Sequence, residues 1–305
     1  MSRYSAFKKA DEILSQRRFD SSKNFDARFS KALENEEFKK NFVEYKRLSL
    51  QNISSHNKDT QLEIKKYSKN LLDIINKNGI DLNVYSTCSK CRDTGYINGE
   101  ICDCKMDIIK SQLFNESHLP SFVISSFSDN KLDKIDAKQA SKMQDIYKDC
   151  KRWADNIDDA KKRVIYLMGS VGVGKTTLAL SIANEVVSSL HSVYYATAFD
   201  FAKLVIDKQF NRLVDEDNYY NMLDSDLLII DDLGTEGQNS IAIENLFAII
   251  DNRINNNKKT IICTNLSLEQ FAKRYGERSL SRLTSKEYAY VPSYILGDDL
   301  RKFKC

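Results

Sequence analysis

Apolar residues recur at helical spacing through the first eighty positions: Phe7, Ala10 and Leu14, then Phe38, Phe42 and Tyr45, then Ile64, Tyr67, Leu71 and Ile75. Steps of three and four put each set on one helical face, so a run of amphipathic helices is expected, each with one side to bury. Asn78-Gly79 supplies the stop for the last of them. From Leu119 to Lys138 the pattern dissolves into Ser, Asp and Lys without a period, which predicts a connector. Beyond about Ala140 it changes again. A helix is expected through Ile146, Cys150 and Trp153, followed by short β-branched runs alternating with helical stretches. The runs are Val164 to Met168, Val193 to Ala196, Leu227 to Ile230, Thr260 to Cys263 and Tyr288 to Val291. Short apolar strands separated by helices imply an α/β fold, a parallel sheet with helical crossovers. There is no internal repeat, and the Asn-rich patch from Asn255 to Lys259 reads as a turn.

Composition adds limits rather than identity. At 305 residues the chain suits two domains. Its 42% hydrophobic and 29% charged residues are those of a soluble globular protein. The longest apolar runs fall far short of a bilayer span and the N-terminus lacks the apolar stretch of a signal peptide, so a cytoplasmic protein with no membrane partner is expected. The net charge of +3, with 46 basic against 43 acidic residues, does not announce nucleic acid; any such contact must be local. Seven cysteines, four of them between Cys88 and Cys104, fit a metal cluster in a reducing compartment better than a disulfide scaffold. Cys150, Cys263 and Cys305 read as ordinary buried or tail residues.

The chemistry is concentrated in a few segments. VIYLMGSVGVGKTTLALSIANEV carries G-x-x-x-x-G-K-T between a predicted strand and a predicted helix, so Gly169, Ser170, Val171, Gly172, Val173, Gly174, Lys175, Thr176 and Thr177 form a candidate ATP-binding loop. Glycines let backbone N–H groups converge on phosphate oxygens, and the following helix adds the positive end of its dipole. Lys175 would hold the β and γ phosphates, and Thr176 would offer its hydroxyl to Mg²⁺. LLIIDDLG ends an apolar strand with Asp231, the candidate for the metal side, and Asp232, the candidate to orient or deprotonate the attacking water. TIICTNLS ends in Thr264 and Asn265, a neutral pair able to position water. Arg278 and Arg282 stand four apart on one helical face, and Arg301 follows in GDDLRKF; a guanidinium can spread over γ-phosphate charge.

In CSKCRDTGYINGEICDCK, Cys88 and Cys91 precede Cys102 and Cys104 by a gap containing Asn98-Gly99, a hairpin signal. Folding back would gather four thiolates round one tetrahedral ion, which suits structural Zn²⁺ and leaves no open catalytic position. A redox pair or incidental cysteines are the other readings.

Taken in order, GSVGVGKTT, LLIIDDLGTE, ICTNLS, YGERSLSRL and GDDLR make the chain from about residue 160 onward resemble the AAA+ helicase loaders of the DnaC and DnaI group, with the IstB-type transposition ATPases as close relatives. The resemblance implies an AAA+ ATPase domain over 160–305 lacking a C-terminal lid, a connector over 119–159, and a helical domain over 1–118 whose zinc module at 88–104 helps contact a replicative helicase. It also implies sensor 1 at Asn265, an arginine finger at Arg282 offered to a neighbouring copy, with Arg278 the lesser candidate, and sensor 2 at Arg301. Asp232 stands where Glu is usual. Implied partners are a hexameric replicative helicase, single-stranded DNA and further copies of the chain through the ATP sites. FDFAKLVIDKQFNRLVDEDNYYNML resembles the helical element with which such ATPases touch single strands, and Phe210, near Lys208 and Arg212, is its candidate stacking residue or, alternatively, a core phenylalanine. A transposition helper working on duplex DNA, or a nucleotide-gated adaptor with negligible turnover, would carry the same motifs.

Overall fold

The periodic N-terminal stretch folds as α1 (Arg3–Ala32), α2 (Glu36–Ser55) and α3 (Lys58–Asn78) in a computed structural model that describes residues 3–55, 57–120, 126–127, 137–237, 240–292, 295, 297, 299 and 300. Asn57 caps α3 by accepting the Asp59 N–H, and Gly79 ends it at φ 61°, a left-handed conformation that glycine adopts without steric cost. The chain divides into two compact units, one of Asp11–Lys105 and one that joins the first ten residues to everything from Met106 onward.

In the first of these, Ala32, Phe38, Leu71 and Ile74 form a small buried core lined by Phe29, Phe42 and Tyr45. The Phe29 and Phe42 rings meet edge to face at 5.0 Å. Beyond α3 lies a two-stranded hairpin, β1 (Tyr96–Ile97) and β2 (Glu100–Ile101), which turns on Asn98 (φ 52°) and Gly99 (φ 87°) as the Asn-Gly pair predicts. Helix α4 (Asp103–Asn115) follows.

The larger unit is built on a five-stranded parallel sheet. After α5 (Ala137–Asp155), the chain runs through β3 (Val164–Met168), α6 (Lys175–Ser188), β4 (Val193–Thr197), α7 (Ala198–Gln209), α8 (Glu216–Asp224), β5 (Leu227–Leu233) and α9 (Ser240–Asn255). It continues with β6 (Lys259–Thr264), α10 (Leu268–Tyr275), α11 (Glu277–Leu283) and β7 (Ala289–Tyr290). The strand order is β4-β5-β6-β3-β7. Both faces are covered, which is why the strands are continuously apolar. Ile165, Leu167, Ile229, Ile261 and Cys263 face one layer, packed with Leu178 and Ile182 of α6 and with Met143, Ile146 and Cys150 of α5. Tyr166, Met168, Leu228, Ile230 and Ile262 face the other, packed with Phe201 and Val205 of α7, Leu246 and Ile250 of α9 and Phe271 of α10.

All five expected strands are present, and β5 extends past Ile230 to carry both aspartates. The domain limits differ from expectation. The division falls between Lys105 and Met106 rather than at 118, and α5 lies in the ATP-loop core rather than in a connector, because its Met143, Ile146, Cys150 and Trp153 are buried against the sheet layer. Cys150 and Cys263 are both fully buried, as ordinary core residues are.

Candidate functional site

The parallel sheet delivers the C-terminal ends of β3, β5 and β6 to one edge, where α/β folds bind ligands. From β3 the loop Gly169 to Gly174 leads into α6, with Gly172 (φ 77°) and Gly174 (φ 93°) both left-handed. Lys175, the first residue of α6, is buried, and its Nζ donates to Gly169 O at 2.9 Å, Ser170 O at 2.7 Å and Asn265 Oδ1 at 2.7 Å. The ammonium therefore ties the loop to the end of β6. Thr176 Oγ1 donates to Asp231 Oδ1 at 3.1 Å, which sets a hydroxyl beside a buried carboxylate, the oxygen donor pair that a Mg²⁺ ion requires. Asp232 is exposed one residue further on, at φ 55°, and its N–H donates to Asp231 Oδ1 at 3.0 Å. The β-bulge between Ile230 and Leu233 turns these successive carboxylates to different environments.

A segment near the chain end lies along the loop. Ile295 N–H donates to Met168 O and Ser170 N–H to Ile295 O, both at 2.9 Å, and Leu300 N–H donates to Gly172 O at 2.9 Å. A Cβ at Gly169 would overlap the Ile295 carbonyl, so this close approach requires glycine there, while Gly172, with the Asp299 carboxylate against it, is favoured by its left-handed φ of 77°. Arg301, the expected sensor 2 residue, lies outside the described residues.

The four cysteines of the smaller unit also converge. Their sulfurs all lie within 4.8 Å of one another, with Cys88–Cys102 at 3.9 Å and Cys91–Cys104 at 3.4 Å. Sulfurs bound to one zinc at about 2.3 Å are separated by about 3.8 Å in a tetrahedron, so the donor set fits Zn²⁺. The buried Asp93 carboxylate accepts the Thr87 N–H at 2.7 Å and the Cys88 N–H at 2.9 Å, and Gly95 N–H donates to Cys91 Sγ at 3.4 Å. Burial pushes the Cys91 thiol up, but the Gly95 N–H and neighbouring thiols outweigh it and bring it down to about 7, while burial and Cys91 push Cys104 up.

Residues 125–284, just over half of the chain, match the family model described as IstB-like ATP binding protein. The chain belongs to this family. It is 31% identical over 116 residues to the replicative helicase loader DnaC of Escherichia coli strain K12, a stretch covering 38% of this chain and 47% of that protein. The chain thus spans about half the length of this relative. The crystal structure of the DnaC helicase loader aligns with a TM-score of 0.46 at 23% identity, covering 55% of this chain and 97% of that one. The crystal structure of DnaI gives 0.45 at 23%, covering 58% and 92%. The AAA+ P-loop class expected from the motifs, a parallel sheet flanked by helices with a helical N-terminal region, is the class found.

Other candidates sit apart from the phosphate loop of this IstB-like domain. Arg282, on α11, is ion-paired with Asp251 of α9 at 2.9 Å. Phe210, at the end of α7, is not a core residue: it is 51% exposed, with the Arg212 guanidinium 5.1 Å from its ring centroid. Lys208 is held by Glu216 at 2.9 Å and lies 5.0 Å from the Tyr220 ring centroid. No described helix is long and apolar enough to cross a membrane.

The structure adds residues that no motif marked. Tyr195 of β4 donates its hydroxyl to Asp231 Oδ2 at 2.8 Å; burial, and then the carboxylate, push its phenol well above the usual range. Thr197 is the register partner of Asp231, so Tyr195, two residues earlier, shares the same sheet face. Only the strand order reveals that. Glu236, within the LLIIDDLGTE segment, is buried, where an exposed turn residue would be expected.

Proposed function

We propose that this IstB-like protein is an ATPase that binds a hexameric replicative DNA helicase and helps load it onto single-stranded DNA, with ATP binding and hydrolysis setting grip and release. The observation that carries the ATPase reading is the convergence of Lys175, Thr176, Asp231 and Asn265 at one sheet edge. In this reading Lys175 and the N–H groups from Gly169 to Thr177 bind the phosphates, and Thr176 with Asp231 holds Mg²⁺, which supplies neutralisation of phosphate charge. Asp232 orients or deprotonates the attacking water, and Asn265 positions it. Arg282 reaches the γ phosphate of a neighbouring copy, and Arg301 acts within its own. The present partner of Arg282, Asp251, lies in the same chain, so the finger is available to a neighbour once that half-exposed pair opens.

Similarity to the loader DnaC supports the helicase as partner; in this reading the helical region over 1–118, with its cysteine cluster at 88–104, is the gripping part. The half-exposed Phe210 beside Arg212 supports a single-stranded DNA contact, because an aromatic face with a nearby cation accepts any unpaired base. The decisive experiment is co-purification of the full chain with the cognate replicative helicase in ATP and in ADP. Association that differs between the nucleotides is expected; none in either state would defeat the loader reading. The family match also favours a second reading, a transposition helper, which predicts binding to a transposase and to duplex DNA instead.

A further inference from the structure

The loop that follows Asp232 is closed by a carboxylate to which the ATP site gives no role. Asp232 C=O accepts both the N–H and the hydroxyl of Thr235, at 3.2 and 2.9 Å, so residues 232–235 form a tight turn. Glu236 completes it: its Oε2 accepts the Gly234 N–H at 2.8 Å. The other oxygen, Oε1, accepts the Tyr275 hydroxyl and lies 3.3 Å from Arg274 Nη2, which also donates to the Glu236 carbonyl. Glu236 is 6% exposed. A buried carboxylate is costly unless every oxygen is satisfied, and here three donors satisfy it.

Those donors are the last two residues of α10 and the loop itself. The other end of α10 is tied to the same place. Its capping box at Ser267 begins two residues after Asn265, Thr264 Oγ1 donates to Leu233 O at 2.6 Å, and a Cβ at Gly234 would lie 2.9 Å from Leu266 Cδ1. Helix α10 is thus fastened at both ends to the turn beyond Asp232. At Gly276, which ends α10 and starts α11, the chain passes directly into the helix that carries Arg282.

We infer that Glu236, with Tyr275 and Arg274, is a positioning residue that fixes the arginine helix α11 to the loop of its own subunit's Asp232, so that the finger offered to a neighbour is aimed from the donor's hydrolysis loop. The inference rests on the reading of the protein as an ATPase completed by a neighbour's Arg282. Glu236 touches no reacting atom in this scheme; it acts through α10 and α11.

Mixed full-length subunits separate the two ideas. A Lys175→Ala copy cannot use ATP but keeps its finger, and an Arg282→Ala copy keeps its ATP site but has no finger, so their mixture regains turnover if the finger acts between copies. Absence of regained turnover overturns both the shared-site reading and this inference. The donor is then replaced by Lys175→Ala combined with Glu236→Gln, or with Tyr275→Phe, which removes one hydroxyl and keeps the ring. Regained turnover is expected to fall about tenfold with either donor, the scale of one lost charge-assisted hydrogen bond. The donor's own ATP site is already silent, so loss there reads only the finger. Two donors that keep a cooperative unfolding transition well above the assay temperature and that restore turnover as fully as the parent donor overturn the inference alone.

Discussion

Lys175 shows how a single charge can organise a site before any ligand arrives. Its ammonium is buried and satisfied by two loop carbonyls and Asn265, so the side chain is already extended toward the loop's interior. In Lys175→Ala the loop loses its one buried cation, and phosphate binding loses a strong charge-assisted partner. Nucleotide affinity is expected to fall at least about tenfold and turnover about a hundredfold or more, checked by titration with a fluorescent ATP analogue and by phosphate release. Tyr195 acts one step further out. In Tyr195→Phe the Asp231 carboxylate keeps the Thr176 hydroxyl and the Asp232 N–H but loses the phenol donor. The expected effect is about 1 kcal/mol, roughly a fivefold change in the magnesium concentration that half-saturates turnover, with nucleotide affinity in the absence of magnesium unmoved. At this scale the sequence reveals residues whose chemistry is written in local spacing, such as Gly174, Lys175 and Thr176. Tyr195, Glu236 and Asp251 are invisible there, because each acquires meaning from a neighbour 36, 39 or 31 positions away that only the sheet order and helix packing select.

At the scale of elements, the strands are legible because a parallel sheet covered on both faces demands continuous apolar runs, and few other structures do. Helix α5 is legible as a helix through Ile146, Cys150 and Trp153 but not as part of the sheet's core, because its other face is rich in Lys, Asp and Gln and a polar stretch precedes it. Asp226 shows what holds the strand ends. It accepts the Ser192 N–H at 3.0 Å, the Ser192 hydroxyl at 2.8 Å and Lys258 Nζ at 2.9 Å, joining the starts of β4 and β5 to the turn after α9. Burial alone would raise its pKa, but Lys258 and the Ser192 donors outweigh that and hold it below the usual carboxylate value. A folded-state pKa below the unfolded one means the stabilisation is full above the unfolded value and is lost as pH falls through the folded one. Asp226→Asn should therefore cost about 1–2 kcal/mol at neutral pH, and the gap to the parent should close as pH falls below about 4, measured by denaturant unfolding across pH. The cysteine hairpin yields a different test. The full chain is expected to hold about one zinc, reduced by Cys88→Ser, and to release it on acidification because protons compete for the thiolates. Metal content before and after dialysis at low pH checks this, and an unmutated chain without zinc would remove the assignment.

For the whole molecule, bulk charge is uninformative at +3, so any grip on nucleic acid must come from a local surface. The proposed one is the helical excursion between β4 and β5, where Phe199 is 65% exposed, Phe210 51% and Tyr220 47%, with Arg212 against Phe210 and Lys208 against Tyr220. Acidic residues at the start of α8 dilute the positive field there, and Glu216 already occupies Lys208. For the proposed single-strand contact, stacking rather than charge would supply most of the affinity, which predicts tolerance of base sequence and only a shallow dependence on salt. Phe210→Ala is expected to weaken single-stranded DNA binding by about 1–3 kcal/mol, while Arg212→Ala chiefly flattens the salt dependence further. Fluorescence anisotropy with a labelled oligonucleotide at several salt concentrations distinguishes them. Because Phe210 is outside both hydrophobic layers of the sheet, its loss should leave thermal stability and nucleotide affinity unchanged. An alanine variant that binds the oligonucleotide as tightly as the parent would move the single-strand contact to another face of the ATPase domain.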